Sequence, residues 1–131
     1  MDASLAVKWL VFEPHSEEAN RLRDRWLSSQ RVLHAPDLLI LEVHSALCKK
    51  VQRGEIGRDA PVFSLSPFLG LRLEWSPFSA LLPRAAALAL DFGLSVYDGV
   101  YAALAERLGC PLYTADLELS RKLGAGRIQP L

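Results

Sequence analysis

The chain has 131 residues, of which half are hydrophobic and 23% charged. That composition excludes a disordered or low-complexity polymer and leads us to expect one globular domain, residues 1–131, with a substantial core. Fifteen basic and fifteen acidic residues cancel, so no global positive field marks out a polyanionic partner. No apolar run approaches the roughly 18 residues needed to cross a bilayer, and no cleavable signal pattern opens the chain, so a cytoplasmic protein without a membrane partner is expected.

Residues 4–12 (SLAVKWLVF) read as a short helix or turn-helix, stopped before Pro14 because a residue preceding proline is pushed out of the helical region. Residues 15–28 carry early acids, later arginines and apolar Ala19, Leu22 and Trp26 at helical spacing. Val32, Leu33 and His34 suit a short strand before Pro36. Asp37, as an N-cap, then opens a strongly apolar helix, LLILEVHSALCKKV, that closes near Gly54. A less regular helical stretch is expected from Arg58, interrupted at Pro67. Residues 71–75 (LRLEW) alternate as a strand does, and residues 81–92 form an alanine-rich helix ending at Gly93. The clearest helix covers residues 95–108, with Ser95 as N-cap and Gly109 as its stop. Residues 111–114 make a strand, Asp116 precedes a short helix (LELSRKLG), and Ile128 with Gln129 suits a last strand. Strands alternating with helices predict an α/β sandwich around a mostly parallel sheet, with functional groups at the carboxyl ends of its strands.

Four acids stand out from this pattern. Glu42 shares its helical face with Leu38, Leu39, Ser45 and Ala46, a mainly apolar setting in which an unpartnered charge is unusual. Asp98 shares a face with Leu94, Ser95, Tyr101, Ala102 and Ala105; it serves equally as a functional group or as an acid steadying the helix N-terminus. Asp116 and Asp2, each taken alone, are explained as helix caps. Together, four such groups require protons or divalent cations, since each unscreened pair about 4 Å apart costs on the order of 4 kcal/mol at an effective dielectric near 20. Ser4 and Thr114 suit donors to carboxylates better than nucleophiles, because no His–acid pair accompanies them. His15, His34 and His44 lack partners at ligand spacing, and no glycine loop matches a phosphate cradle. Cys48 and Cys110 are isolated, which argues against a zinc site and suggests buried thiols.

Three segments, MDASLAVKWL, APDLLILEVHSAL and GLSVYDGVYAALAERLGCPLYTAD, with the spacing between them, resemble the PIN-domain ribonucleases, in particular the VapC-like toxins of toxin–antitoxin pairs. The resemblance runs over essentially the whole chain. It implies a three-layer α/β/α sandwich with Asp2, Glu42, Asp98 and Asp116 at the carboxyl edge of the sheet, holding Mg²⁺ or Mn²⁺, and Ser4 and Thr114 as accessory hydroxyls. The implied reaction is hydrolytic cleavage of RNA to 3′-hydroxyl and 5′-phosphate ends; the implied partners are RNA, a cognate antitoxin protein and a second copy in a homodimer. Arg21, Arg25, Lys49, Lys50 and Arg53 are candidates for substrate contact, and each is also explained as a solvated helix face. Val7, Trp9, Leu10, Leu22 and Trp26 offer an apolar surface for a partner, or core. Two departures stand out: Ser45 replaces a frequent Asn, and only Met1 precedes Asp2 where relatives carry a hydrophobic strand. A start upstream of Met1, or compensation by dimerisation, is therefore expected. The rival reading is a non-catalytic PIN-like binding module with a vestigial acidic pocket.

Overall fold

A computed structural model describes residues 1–59, 68–124 and 126–131. The irregular helix expected between Arg58 and Pro67 falls mostly outside them. Six helices and four strands are described, in the order α1 (Ala3–Val7), α2 (Ser16–Ser29), β1 (Val32–Pro36), α3 (Leu38–Gln52), β2 (Arg72–Ser76), α4 (Leu82–Phe92), α5 (Val96–Leu108), β3 (Leu112–Thr114), α6 (Leu117–Leu123) and β4 (Ile128–Pro130). A single 3-10 turn, Phe78–Ala80, leads into α4.

The strands are parallel, as the alternation of helix and strand predicts. β1 pairs with β2 from Val32↔Arg72 to Pro36↔Ser76, and β3 pairs with β4 from Leu112↔Ile128 to Thr114↔Pro130. Met1 and Asp2 lie between the two pairs. The Met1 amino group donates to the His34 carbonyl at 3.2 Å, and the Asp2 N–H donates to the Tyr113 carbonyl at 3.1 Å. Those two residues link β1 to β3.

Helices cover both faces at β3, where successive side chains alternate. Leu112 and Thr114 are buried, whereas the Tyr113 ring points to α2 and meets Trp26 edge-on at 5.0 Å. α2 buries Ala19, Leu22 and Trp26, the spacing read from the sequence. Trp9 packs against Trp26 at 6.0 Å, and its indole N–H donates to the Ala19 carbonyl. Val7, Trp9, Leu22 and Trp26 are therefore core, with Leu10 packed against it.

α3 buries Leu39, Val43 and Leu47, one every four residues, and this stripe orients the helix so that Glu42 falls at its border. α5 buries Gly99 through Leu104 almost all round, as a central helix does. It lies so close to α4 that a Cβ on Gly99 would stand 2.4 Å from the Ala85 carbonyl oxygen. Arg84 of α4 clasps Glu106 of α5 through Nε and Nη2 at 2.8 and 2.9 Å. Gly109 closes α5 at φ +62°, the left-handed conformation that a glycine adopts without strain.

Two expectations need correction. Asp37 makes no cap on α3; its carboxylate accepts from the Phe78 N–H at 2.9 Å, tying the end of β1 to the turn after β2. Cys48 and Cys110 are exposed rather than buried. Among the described residues, no single helix is long and apolar enough to cross a membrane.

Candidate functional site

Asp2 is placed by α1, which it caps. Its Oδ1 accepts from the Leu5 N–H at 3.1 Å and the Ser4 hydroxyl at 2.8 Å, and its Oδ2 accepts from the Thr114 hydroxyl. Thr114 Oγ1 in turn accepts from the Asp116 N–H at 2.9 Å, and Ser4 Oγ accepts from the Ala115 N–H at 2.9 Å. These two hydroxyls tie the start of α1 to the end of β3. Asp2 is only 5% exposed. Burial pushes its carboxyl above the usual range, outweighing the Thr114, Leu5 and Ser4 donors that favour the charged form. The adjacent Met1 ammonium is pushed down by the same burial, with the Asp2 charge opposing.

Glu42 projects from α3 beside its buried stripe and is half-buried. The Tyr101 hydroxyl donates to its Oε2 at 2.5 Å. Its carboxyl is raised first by desolvation; the Tyr101 bond opposes this, and repulsion from Asp98 and Asp2 adds to it. Tyr101 is held in its neutral form by burial and by the same three acids. That mutual influence places Asp2, Glu42 and Asp98 in one neighbourhood.

Asp98 sits in the first turn of α5. The Ser95 hydroxyl accepts from the Asp98 N–H at 3.0 Å and donates to Asp98 Oδ2 at 2.7 Å, so one side chain caps the helix and fixes the carboxylate. Asp116 caps α6: its Oδ1 accepts from the Glu118 and Leu119 N–H groups at 2.7 and 3.0 Å. The cap read from the sequence is therefore real, and Oδ2 has no partner among the described residues. Asp116 and Glu42 line one groove of about 910 Å³ with Ser4, Ser45, Lys49 and Tyr97.

Asp2 and Asp116 thus meet at the end of β3 through Thr114, Glu42 feels the charges of Asp98 and Asp2, and among the described residues none of the four acids forms an ion pair with Lys or Arg. Their oxygens are the hard donors that Mg²⁺ and Mn²⁺ take, and a cation would supply the missing countercharge. Among the same residues, no three His, Cys, Asp or Glu side chains stand close enough together to hold an ion as they are. Asp116 is engaged in capping α6, and the Asp98 carboxylate is held by the Ser95 hydroxyl that caps α5.

Sequence reasoning did not single out Tyr101 as part of the site. The available signal was its position three residues after Asp98, on the same face of α5. The basic candidates separate: Lys49 and Lys50 line the groove, Arg21 pairs with Glu17, Arg53 with Glu55, and Arg25 lines a different pocket beside Arg31.

The family model of the PIN domain matches residues 1–123. Ribonuclease VapC3 of Pyrobaculum aerophilum is 36% identical over 129 residues, which is 95% of this chain and 94% of that protein. Ribonuclease VapC9 of Mycobacterium tuberculosis strain H37Rv is 36% identical over 120 residues, 92% of this chain and 87% of the relative. The crystal structure of PAE2754 from Pyrobaculum aerophilum superposes with a TM-score of 0.69 at 27% identity, covering 97% of this chain and 79% of the other. Both the sequence match and the shared α/β architecture run almost end to end, and the chain belongs to the PIN-domain family, among its VapC members.

Proposed function

We propose that this chain is a Mg²⁺- or Mn²⁺-dependent endoribonuclease, the toxin of a toxin–antitoxin pair, built as one domain over residues 1–131. The observation that supports the reading is that Asp2, Glu42 and Asp98 act on one another electrostatically and Asp116 lines the Glu42 groove, with no Lys or Arg paired to any of the four among the described residues. Relatives that are named ribonucleases over nearly the whole chain support it.

Asp2, Asp98 and Asp116 would hold the ion, and Glu42 would hold it or orient the attacking water. When bound, the ion supplies a water that is nucleophilic at neutral pH and offsets charge on the phosphodiester transition state. Ser4 and Thr114 fix the Asp2 carboxylate, and Tyr101 holds the Glu42 carboxylate. The water oxygen bonds to phosphorus, the bond to the 3′ oxygen breaks, and the proton that the water gives up offsets the one that the leaving 3′ oxygen takes on. The products are a 3′-hydroxyl and a 5′-phosphate. A cognate antitoxin that covers the groove holds the toxin inactive, and the protein works in the cytoplasm as a homodimer.

The test is RNA cleavage with Mn²⁺ after removal of any antitoxin. The wild type is expected to cut both linear and circular RNA, and chelation is expected to stop it. Asp98→Asn should slow cleavage by about 100-fold or more, since even an outer partner of a metal ligand costs 10–100-fold. A second reading, a non-catalytic binding module, draws on the open arrangement of the acids. Absence of metal-dependent cleavage across diverse RNAs would favour it.

A further inference from the structure

The groove beside the acids carries three lysines, and their partners divide them. Glu13 engages two: its Oε1 lies 2.9 Å from the Lys8 ammonium and its Oε2 2.7 Å from that of Lys50, which also meets Glu55 at 3.0 Å. Lys8 donates as well to the Pro14 carbonyl at 2.7 Å. Lys49 is exposed and has no carboxylate partner among the described residues. Tyr97, immediately before Asp98, lines the same groove at 59% exposure. Among the described residues its ring makes no aromatic contact and its hydroxyl no hydrogen bond. An unpaired cation and an unstacked aromatic ring therefore flank the acids, next to Leu41 at 67% exposure.

We infer that Lys49 and Tyr97 grip the substrate strand in this groove, the Lys49 ammonium on a backbone phosphate and the Tyr97 ring stacked on an unpaired base beside it. The inference rests on the ribonuclease reading for the class of substrate. A polyanion approaching four acids needs a free positive charge, and Lys8 and Lys50 are already committed to Glu13. An exposed ring stacks on a base only where that base is free of its own neighbours, which selects single-stranded RNA over duplex.

The test is fluorescence anisotropy with a labelled, unstructured RNA oligonucleotide in Ca²⁺, read before any cleavage detectable on a gel. Tyr97→Ala should weaken binding about ten-fold, as loss of one base–aromatic stack does, while Tyr97→Phe, which keeps the ring, should bind as the wild type. Lys49→Ala should reduce the slope of log affinity against log salt by about 0.7, the loss of one phosphate contact on a single strand, and Lys49→Arg should restore it. A duplex of the same sequence should show no dependence on Tyr97. Thermal melts of all four variants should match the wild type, since both side chains are exposed. Wild-type affinity and slope in both alanine variants would overturn the inference. A wild type that binds in this pattern but never cleaves with Mn²⁺ overturns the nuclease reading and leaves the grip standing. A wild type that cleaves without any effect of either alanine variant overturns the grip alone.

Discussion

Glu42 carries a charge that no Lys or Arg among the described residues neutralises. Its one hydrogen-bond donor among the described residues is a neutral phenol, and Asp98 and Asp2 repel it. With its carboxyl raised in the folded state, the ionised form weakens the fold; that penalty is absent below the ordinary value of 4.5 and complete once pH has passed the raised value. Metal-free Glu42→Gln should therefore melt above the wild type at pH 8, and the gap should close as pH falls below about 4.5. A melting difference that is flat between pH 4 and pH 8 would contradict the shift. Glu42 was legible as unusual because its neighbours at three and four residues are mainly apolar, which is local information. The partner of Asp37 was not, because Phe78 lies 41 residues away and nothing in the Pro36–Asp37 step points to it.

At the scale of one element, α5 was the most legible helix and shows where that legibility stops. Ser95 and Gly109 bound it as read, and Asp98 lies in its first turn. Ser95→Ala should lower stability by about 1 kcal/mol through loss of the cap. It should also slow cleavage, because the same hydroxyl holds Asp98 Oδ2. Gly99 is the hidden feature. Helix propensity alone makes Gly99→Ala stabilising by about 1 kcal/mol. The Ala85 carbonyl oxygen, 2.4 Å from where a Cβ would sit, reverses the sign. We expect a net loss of about 1–3 kcal/mol from forced separation of α4 and α5, read by urea denaturation. A more stable Gly99→Ala would show that the two helices can part freely. No spacing rule reports such a contact, because Ala85 belongs to another helix.

At the scale of the molecule, the alternation of helix and strand made the α/β class and the parallel pairing readable. The division into β1–β2 and β3–β4 was not, since it depends on how Met1 and Asp2 sit between them. The expectation that the four acids form one site came from resemblance, not from spacing: singly, Asp2 and Asp116 look like caps, and both do cap. If these acids form an ion site, Mn²⁺ at 100 times its Kd should stabilise the fold by about 2.7 kcal/mol, seen as a rise in Tm that Asp98→Asn abolishes. Homodimerisation should appear in sedimentation equilibrium as twice the 14.5 kDa mass of the chain; a single species at that mass would remove it.

Trp26 has one further consequence. Its indole is buried and stands edge-on to Tyr113, whose carbonyl receives the Asp2 N–H and whose neighbour Thr114 holds the Asp2 carboxylate. The chain therefore carries its own optical reporter, one residue removed from the acids. Tryptophan emission gives a label-free titration of whatever reorders Asp2, with Trp26→Phe as the blank.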